Sequence, residues 1–250
     1  MFKLPEYTEA LVASPRKLII YSAPKAGKTK ALSMLKNCCI LDFEEGSDFV
    51  SGIKYKIKNA DELKSFFDGL DEANKKEGKF VFKYLALDTL TSMEEIAWEI
   101  ALSIYKNSAL GKSFSGDIYK FKNLPNGAAY GYLREAMDKI INRASSLCEF
   151  LILTAHFKQT AIQRSNNEGE IMASDIAVTG KSKLILSSQV DAIGKMFRKD
   201  NKTFITFKNT EDDIATGCRS EHLINKSFPL VEYDADQKVF TSHWDEIFIN

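Results

Sequence analysis

Lys17-Leu18-Ile19-Ile20-Tyr21-Ser22-Ala23-Pro24-Lys25-Ala26-Gly27-Lys28-Thr29 is the stretch that decides the fold class of this 250-residue chain. Its first five residues are mostly apolar and partly β-branched, which predicts a buried strand. Lys28 to Lys36 places Ala31, Leu32 and Leu35 on one face of a helix. Between them the spacing is that of a phosphate-binding loop, glycine, four residues, then Gly-Lys-Ser/Thr, with Ser22 standing where the first glycine would be. A strand that turns sharply into a helix N-terminus aims unpaired backbone N–H groups at one spot, and phosphate fits that spot. Ser22, Ala23, Pro24, Lys25, Ala26, Gly27, Lys28, Thr29 and Lys30 are therefore the candidate phosphate cradle. In it Gly27 permits close backbone approach, Lys28 reaches the β and γ phosphates, and the Thr29 hydroxyl ligates Mg²⁺. The competing reading, a chance Ala-Gly-Lys-Thr in a surface turn, does not account for the strand before it and the helix after. A side chain at Ser22 is expected to narrow the loop's backbone freedom and slow turnover.

The rest of the chain continues the alternation of strand and helix. Cys38-Cys39-Ile40-Leu41-Asp42-Phe43 reads as a strand ending in the acidic turn Glu44-Glu45-Gly46-Ser47-Asp48. A short strand is expected within Gly52 to Lys58, and an amphipathic helix over Ala60 to Lys76 buries Leu63, Phe66, Phe67 and Leu70. Phe80 to Asp88 is an apolar strand closing on an aspartate, followed by Thr89-Leu90-Thr91-Ser92, which can cap a helix over Met93 to Tyr105. An acid at the C-terminal end of a strand lies on the ligand edge of a parallel sheet, so Asp88 is the candidate Walker B residue for Mg²⁺. Ala128 to Ser146 predicts a further helix, and Phe150 to His156 a buried strand. His156 then either senses the γ phosphate or is a satisfied histidine at a strand end. Thr179-Gly180-Lys181 opens a helix to Gln189, and Val190 to Arg198 with Thr203 to Phe207 predicts an antiparallel hairpin turning at Asp200-Asn201. The tail from His222 to Asn250 has mixed patterns, and Trp244, Ile247 and Phe248 are expected to dock as a small helix.

Two polar stretches interrupt this order. Asn107 to Asn126 interleaves Lys106, Lys112, Lys120 and Lys122 with Tyr105, Phe114, Tyr119 and Phe121, an alternation that suits a single strand of nucleic acid. The same pattern also fits an excursion that folds its own aromatics into the core. Phe157 to Val178, with Lys158 and Arg164, reads as a hairpin or an unstructured loop, long enough to have a function. The DNA-binding candidates are Lys112, Tyr119, Lys120, Lys122, Lys158 and Arg164.

Thirty-four basic residues balance thirty-four acidic ones, so no global charge steers the chain to nucleic acid and any such contact rests on local patches. The four cysteines, Cys38, Cys39, Cys148 and Cys218, have no Cys-x-x-Cys spacing and read as reduced packing residues of an intracellular protein. No uninterrupted apolar run has membrane-spanning length, and the expectation is a soluble, cytoplasmic protein. The fold expected is α/β: a mainly parallel central sheet flanked by helices, with an antiparallel hairpin extension. Its parts are a lead-in over 1–16, a nucleotide-binding core over 17–220 and a tail packed on the core over 221–250.

The acidic residues discriminate within the P-loop class. AAA+ ATPases usually carry a glutamate next to the Walker B aspartate, whereas Thr89 follows Asp88 here; the RecA-like branch places it after the strand that follows the P-loop helix, the position of Asp42-Phe43-Glu44-Glu45. With the 21–29 loop, Leu87-Asp88-Thr89-Leu90-Thr91, Leu153-Thr154-Ala155-His156 and Thr179-Gly180-Lys181 in order, the chain resembles the phage RecA-like nucleotide-binding proteins. Some of these act as recombinases or single-strand annealing proteins. The resemblance covers about Lys17 to Arg219 and implies a RecA-like P-loop NTPase fold, ATP and Mg²⁺ as cofactors, and a homo-oligomer, ring or filament, on single-stranded DNA in the host cell. A single-strand binding protein is a further partner on this reading. It implies that Glu44, before Glu45, polarises the attacking water beside Lys28 and that His156 occupies the polar switch position. It further implies that 157–178 and 107–126 match the two DNA-binding loops, and that Lys208 or Arg219 supplies an intersubunit cation. The alternative is a non-catalytic annealing module that uses nucleotide only as an assembly ligand.

Overall fold

In the computed structural model, residues 13–163, 170–180, 182–210, 213 and 215–249 are described. The P-loop strand β1 (Lys17–Ser22) lies between β5 (Phe150–Gln163) and β7 (Ala192–Lys199), parallel to both. Beyond β5 follow β4 (Tyr84–Asp88), β2 (Cys38–Asp42) and the edge strand β3 (Ile53–Lys56), all parallel. On the other side β7 continues antiparallel into β8 (Lys202–Thr206), β10 (Ser227–Asp234) and β11 (Val239–Ser242). The short β9 (Gly217–Cys218) pairs with the start of β7.

Strand periodicity explains why the sheet needs cover on both faces. Along β1, Ile19 and Tyr21 enter one buried cluster while Leu18 and Ile20 enter the other, and Cys39/Leu41 against Cys38/Ile40 repeat the division on β2. Residues two apart share a face, so a central parallel strand must be apolar throughout. The first face is covered by α2 (Ala60–Glu77), α3 (Leu90–Asn107) and α5 (Ala129–Ser145), which bring Leu63, Phe67, Met93, Ala97, Leu133 and Met137 to it.

The second face is covered differently from the expectation. Helix α1 (Lys28–Ser33) is six residues long, three shorter than the reading of 28–36. Its last turn tightens to Met34 N–H donating to Ala31 O and Leu35 N–H to Leu32 O, and Asn37 at φ 62° ends the run. So short a helix leaves apolar sheet uncovered, and the C-terminal tail covers it. Rather than only packing on the core, the tail adds β10 and β11 to the sheet. A 3₁₀ turn over Trp244–Glu246 then brings Trp244, Ile247 and Phe248 into the second cluster. The Trp244 indole N–H donates to Ala31 O at 2.8 Å, and Phe248 packs on Tyr84 and Phe150 with ring centroids 4.8 and 5.1 Å away.

Strand β4 and the first polar stretch also differ from the expectation. Strand β4 begins at Tyr84, leaving Phe80 exposed before it. Residues 107–126 contain a short helix α4 (Ile118–Lys122), capped by Asp117. The second polar stretch takes the hairpin alternative: β5 runs past His156, and residues 157–163 pair antiparallel with β6 (Glu170–Ile176). Helix α6 (Ser182–Gln189) follows as expected. Among the described residues no helix is long and apolar enough to cross a membrane.

Because Trp244 fills the gap that α1 leaves, Trp244→Ala should cost about 3 kcal/mol or more, the usual loss for an emptied aromatic core site. Urea unfolding followed by circular dichroism measures it; an unchanged midpoint would show that the tail does not support the P-loop helix.

Candidate functional site

The sheet's parallel strands end together, and the site is assembled where they do. Gly27 takes φ 102° as it enters α1, a left-handed conformation that glycine adopts without strain, and no side chain caps the helix's first turn. The first-turn N–H groups therefore have an acceptor to find outside the helix. Among non-glycine residues of the loop, Lys25 at φ 62° is left-handed; Ser22 is not. The expected restriction at Ser22 has no basis in the backbone, since nothing there requires glycine. What Ser22 does is polar: its buried hydroxyl donates to Ala23 O at 2.9 Å and accepts from Lys28 Nζ at 3.1 Å.

Lys28 is 7% exposed, and its ammonium also reaches Ala23 O at 3.5 Å and His156 Nδ1 at 3.4 Å. Burial pulls its pKa down, against the opposing fields of Asp88 and Glu44. An ammonium offers only donors, so Nδ1 of His156 accepts and Nε2 carries the hydrogen that meets Glu44 Oε1 at 2.8 Å. Lys28, His156 and Glu44 thus form one continuous line.

Glu44 is placed by its neighbours in sequence and space. Asp42 and Asp88 are partners in register on β2 and β4, and Phe43 N–H donates to Asp88 O. Asp42 accepts from the N–H groups of Glu44, Gly46 and Ser47, which folds the acidic turn over the strand ends. Burial raises the pKa of Asp42, but these hydrogen bonds outweigh it and the net shift is downward. Glu44 Oε1 then takes the Thr89 hydroxyl at 2.6 Å and the Ser92 hydroxyl at 2.9 Å, besides His156. Burial alone would raise the Glu44 pKa; the three donors override it and hold the carboxyl below its usual range.

Asp88 is 4% exposed. Its two oxygens accept from Thr29 Oγ1 at 2.6 Å and Thr154 Oγ1 at 2.5 Å, yet burial dominates and raises its pKa. The hydroxyl of Thr29 beside the carboxylate of Asp88 is a pair of hard oxygen donors, which fits Mg²⁺. That ion takes one or two protein carboxylates and completes its shell with phosphate and water. Among the described residues no cluster of three or more His, Cys, Asp or Glu is suited to a metal.

These elements, a phosphate loop, a buried lysine, and a Thr–Asp pair on adjoining edges, are those of a nucleotide-hydrolysing site. The family profile of the AAA domain matches residues 14–217. The chain belongs to the AAA domain family. It is a nucleotide-binding P-loop ATPase, and the match spans the phosphate loop, Glu44, Asp88 and His156. A search of curated proteins finds no match.

In this AAA domain three hydroxyls beyond Thr29, those of Thr89, Ser92 and Thr154, join the charged groups that the sequence marks out. Thr154 shares a strand face with His156 by the two-residue period, a signal present in the sequence. Thr89 and Ser92 were legible only as a helix cap, and the Thr89 side chain does accept from Ser92 N–H. Thr91 accepts the N–H of His156 and donates to Ala177 O at 3.2 Å, joining α3 to the end of β6. Glu94, one turn on, takes both the N–H and the hydroxyl of Thr179.

Lys112, Tyr119 and Lys120 are exposed. Lys122 pairs with Glu95 at 3.0 Å and lies over Trp98, while Phe114 and Phe121 pack into the core around Tyr105. Lys158 is exposed on the hairpin and its amine donates to Val178 O. Arg164 and Lys181 lie outside the described residues. Lys208 is exposed beyond β8. Arg219 donates to Ser188 O, and its N–H to Asp191 O, beside the start of β1 and so at the opposite sheet edge from the phosphate loop. Cys38, Cys39 and Cys148 are buried free thiols; burial raises the latter two to about 12.

The raised pKa of Asp88 makes a signed prediction. Folding raises its proton affinity, so its contribution is full at low pH and is lost as pH rises through the raised value. Asp88→Asn should raise the melting midpoint of the nucleotide-free protein by a few degrees at neutral pH and flatten this pH dependence, while Mg²⁺-dependent nucleotide binding is lost. A lowered midpoint in differential scanning fluorimetry would show that the Asp88 charge is not a cost to the fold.

Proposed function

We propose that this ATPase is RecA-like in mechanism and acts on single-stranded DNA as an oligomer, in phage recombination or replication. The observation that carries the reading is His156, whose ring joins Lys28 to Glu44 at 3.4 and 2.8 Å and whose strand continues directly into the β5–β6 hairpin. A γ phosphate arriving at Lys28 competes with His156 Nδ1 for the ammonium that donates to it. The ring is then free to turn, and Glu44 loses one of its three donors and becomes the stronger base for a water in line with the phosphate. Thr29 and Asp88 would hold Mg²⁺, which would supply charge neutralisation at this site when bound. Lys208 or Arg219 from a neighbouring copy is the candidate for the remaining positive charge.

Single-stranded DNA enters this reading through the hairpin. Its base is tied to α3 by Thr91 and Glu94, and the same helix begins with Thr89 and Ser92 on Glu44. A strand held by Lys158 and the exposed Lys112, Tyr119 and Lys120 would bias the position of the hairpin and with it the clamp on Glu44. Two arrangements of one packed element, biased from both ends, are what coupling between sites requires.

The second reading, an annealing module that uses nucleotide only for assembly, draws on Glu44 itself. One oxygen with three donors belongs to a weak base.

Steady-state ATP hydrolysis separates the two. Single-stranded DNA should raise the rate, and Glu44→Gln should lower kcat by about 10²-fold or more, the scale of a lost general base, with ATP affinity retained. A rate indifferent to DNA removes the coupling. Annealing that survives Lys28→Ala without ATP would establish the second reading instead.

A further inference from the structure

The central sheet ends in an open strand on each side. Among the described residues β3 pairs with β2 alone and β11 with β10 alone, so the outer N–H and C=O groups of both strands have no strand to pair with. Lysines on an edge strand ordinarily keep other strands away. On β3 they are turned aside: Lys54 donates to the carbonyls of Ser47 and Val50, and Lys56 pairs with Asp48 at 2.9 Å. The other face of β3 presents Ile53 and Tyr55, each nearly half exposed, with Tyr55 leaning on Phe66 of α2. On β11 Val239 is about half exposed as well.

Strand directions decide how these two edges can meet. From β1 through β5, β4 and β2 every step is parallel, so β3 runs with β1. On the other side β7 runs with β1, and the three antiparallel steps to β8, β10 and β11 leave β11 running against it. Two copies with their phosphate loops on one side of a shared sheet therefore bring β3 of one against β11 of the next as an antiparallel pair. The faces agree. Val239 alternates with Phe240, whose ring lies by Lys30 of α1, so Val239 is on the α2 side of the sheet, as Ile53 and Tyr55 are.

Charge agrees too. Residues 53–58 hold three lysines and no acid, whereas residues 232–246 hold five acids and one lysine. Of these acids Glu232 is already paired with Lys202, and Asp234 accepts the N–H groups of Asp236 and Gln237, which leaves the Asp236 side chain exposed at the tip of the β10–β11 turn. That turn stands at the phosphate edge of the sheet, the edge at which Lys56 and Lys58 leave β3, so the antiparallel pairing carries Asp236 of one copy toward Lys58 of the next.

We propose that β11 of one copy adds to β3 of the next, so that the protein assembles head to tail through one continuous sheet. This rests on the reading of the protein as an oligomer and names the two surfaces that join. Each copy uses both of its edges, and the contact repeats until it closes a ring or extends a filament. Lys58 lies 3.9 Å from Glu45, so the join borders the turn that carries Glu44.

Sedimentation velocity over a range of protein concentrations, with and without MgATP and a single-stranded oligonucleotide, tests the assignment. Wild-type protein should assemble, and Ile53→Glu and Val239→Glu, both at exposed side chains, should each be monomeric. Mixed in equal amounts, the two variants should form a dimer and nothing larger, because each retains the edge that the other lacks. Lys58→Asp should weaken assembly by about fivefold, the scale of an exposed ion pair, and Asp236→Lys in the same chain should restore it. These two positions are exposed, so the swap reads the join even where an edge variant fails to fold. Assembly unchanged in both glutamate variants overturns the join while leaving the oligomer. Wild-type protein that stays monomeric under every condition overturns the oligomer and the join together. Assembly lost in Ile53→Glu and kept in Val239→Glu would mean that β3 meets β3, and likewise overturns the proposal.

Discussion

The ammonium of Lys28, buried beneath the phosphate loop, is the interaction on which the rest of this structure depends. Charge taken out of water is costly unless it is matched, and its hydrogen-bond partners here are a serine hydroxyl, a backbone carbonyl and an imidazole nitrogen. The depressed pKa of Lys28 and the raised pKa of Asp88 describe one fact from two sides: the fold holds charges in place that only a bound ligand would fully match. A triphosphate brings the missing negative charge to Lys28. Stability given up in the free protein in this way is the usual companion of a preorganised site.

The fold is arranged to hold that amine in position. Lys28 opens a helix of six residues, too short to be stable alone or to cover its face of the sheet. Trp244, Ile247 and Phe248 arrive from more than two hundred residues later to complete the layer, and the indole of Trp244 bonds to the helix backbone. The same tail carries Tyr233 and Phe240 to the side of the loop away from Asp88. The tail therefore both supports the helix and bounds the space beside it.

Much of this was legible in the sequence, for identifiable reasons. Strands buried on both faces must be apolar throughout, so Leu18 to Tyr21, Cys38 to Leu41 and Leu151 to Ala155 announce themselves, and acids or histidine at their ends fall on the ligand edge. The boundaries of α1 were less legible because the apolar positions through Leu35 continue past its last α-helical turn. Strand β10 was missed because Pro229 and a register shift between Pro229 and Val231 break its alternation. The Tyr and Phe residues between 105 and 121 fit an exposed strand-binding stretch or a core, and packing against Trp98 and Tyr132 places Phe121 in the core. Thr89, Ser92 and Thr154 act through contacts that only the sheet order creates, and hydroxyl residues are too common to be singled out from sequence alone.

In the proposed mechanism His156 links the occupancy of the phosphate loop to the basicity of Glu44, and its imidazole nitrogens report that link directly. Nitrogen-15 NMR on histidine-labelled protein resolves which nitrogen carries the hydrogen. In the nucleotide-free state His156 should show the hydrogen on Nε2. Addition of Mg²⁺ with a non-hydrolysable ATP analogue should shift the Nε2 resonance as the bond to Glu44 is lost, whereas ADP, lacking the γ phosphate, should leave it in place. Identical His156 spectra with the ATP analogue and with ADP would contradict the account.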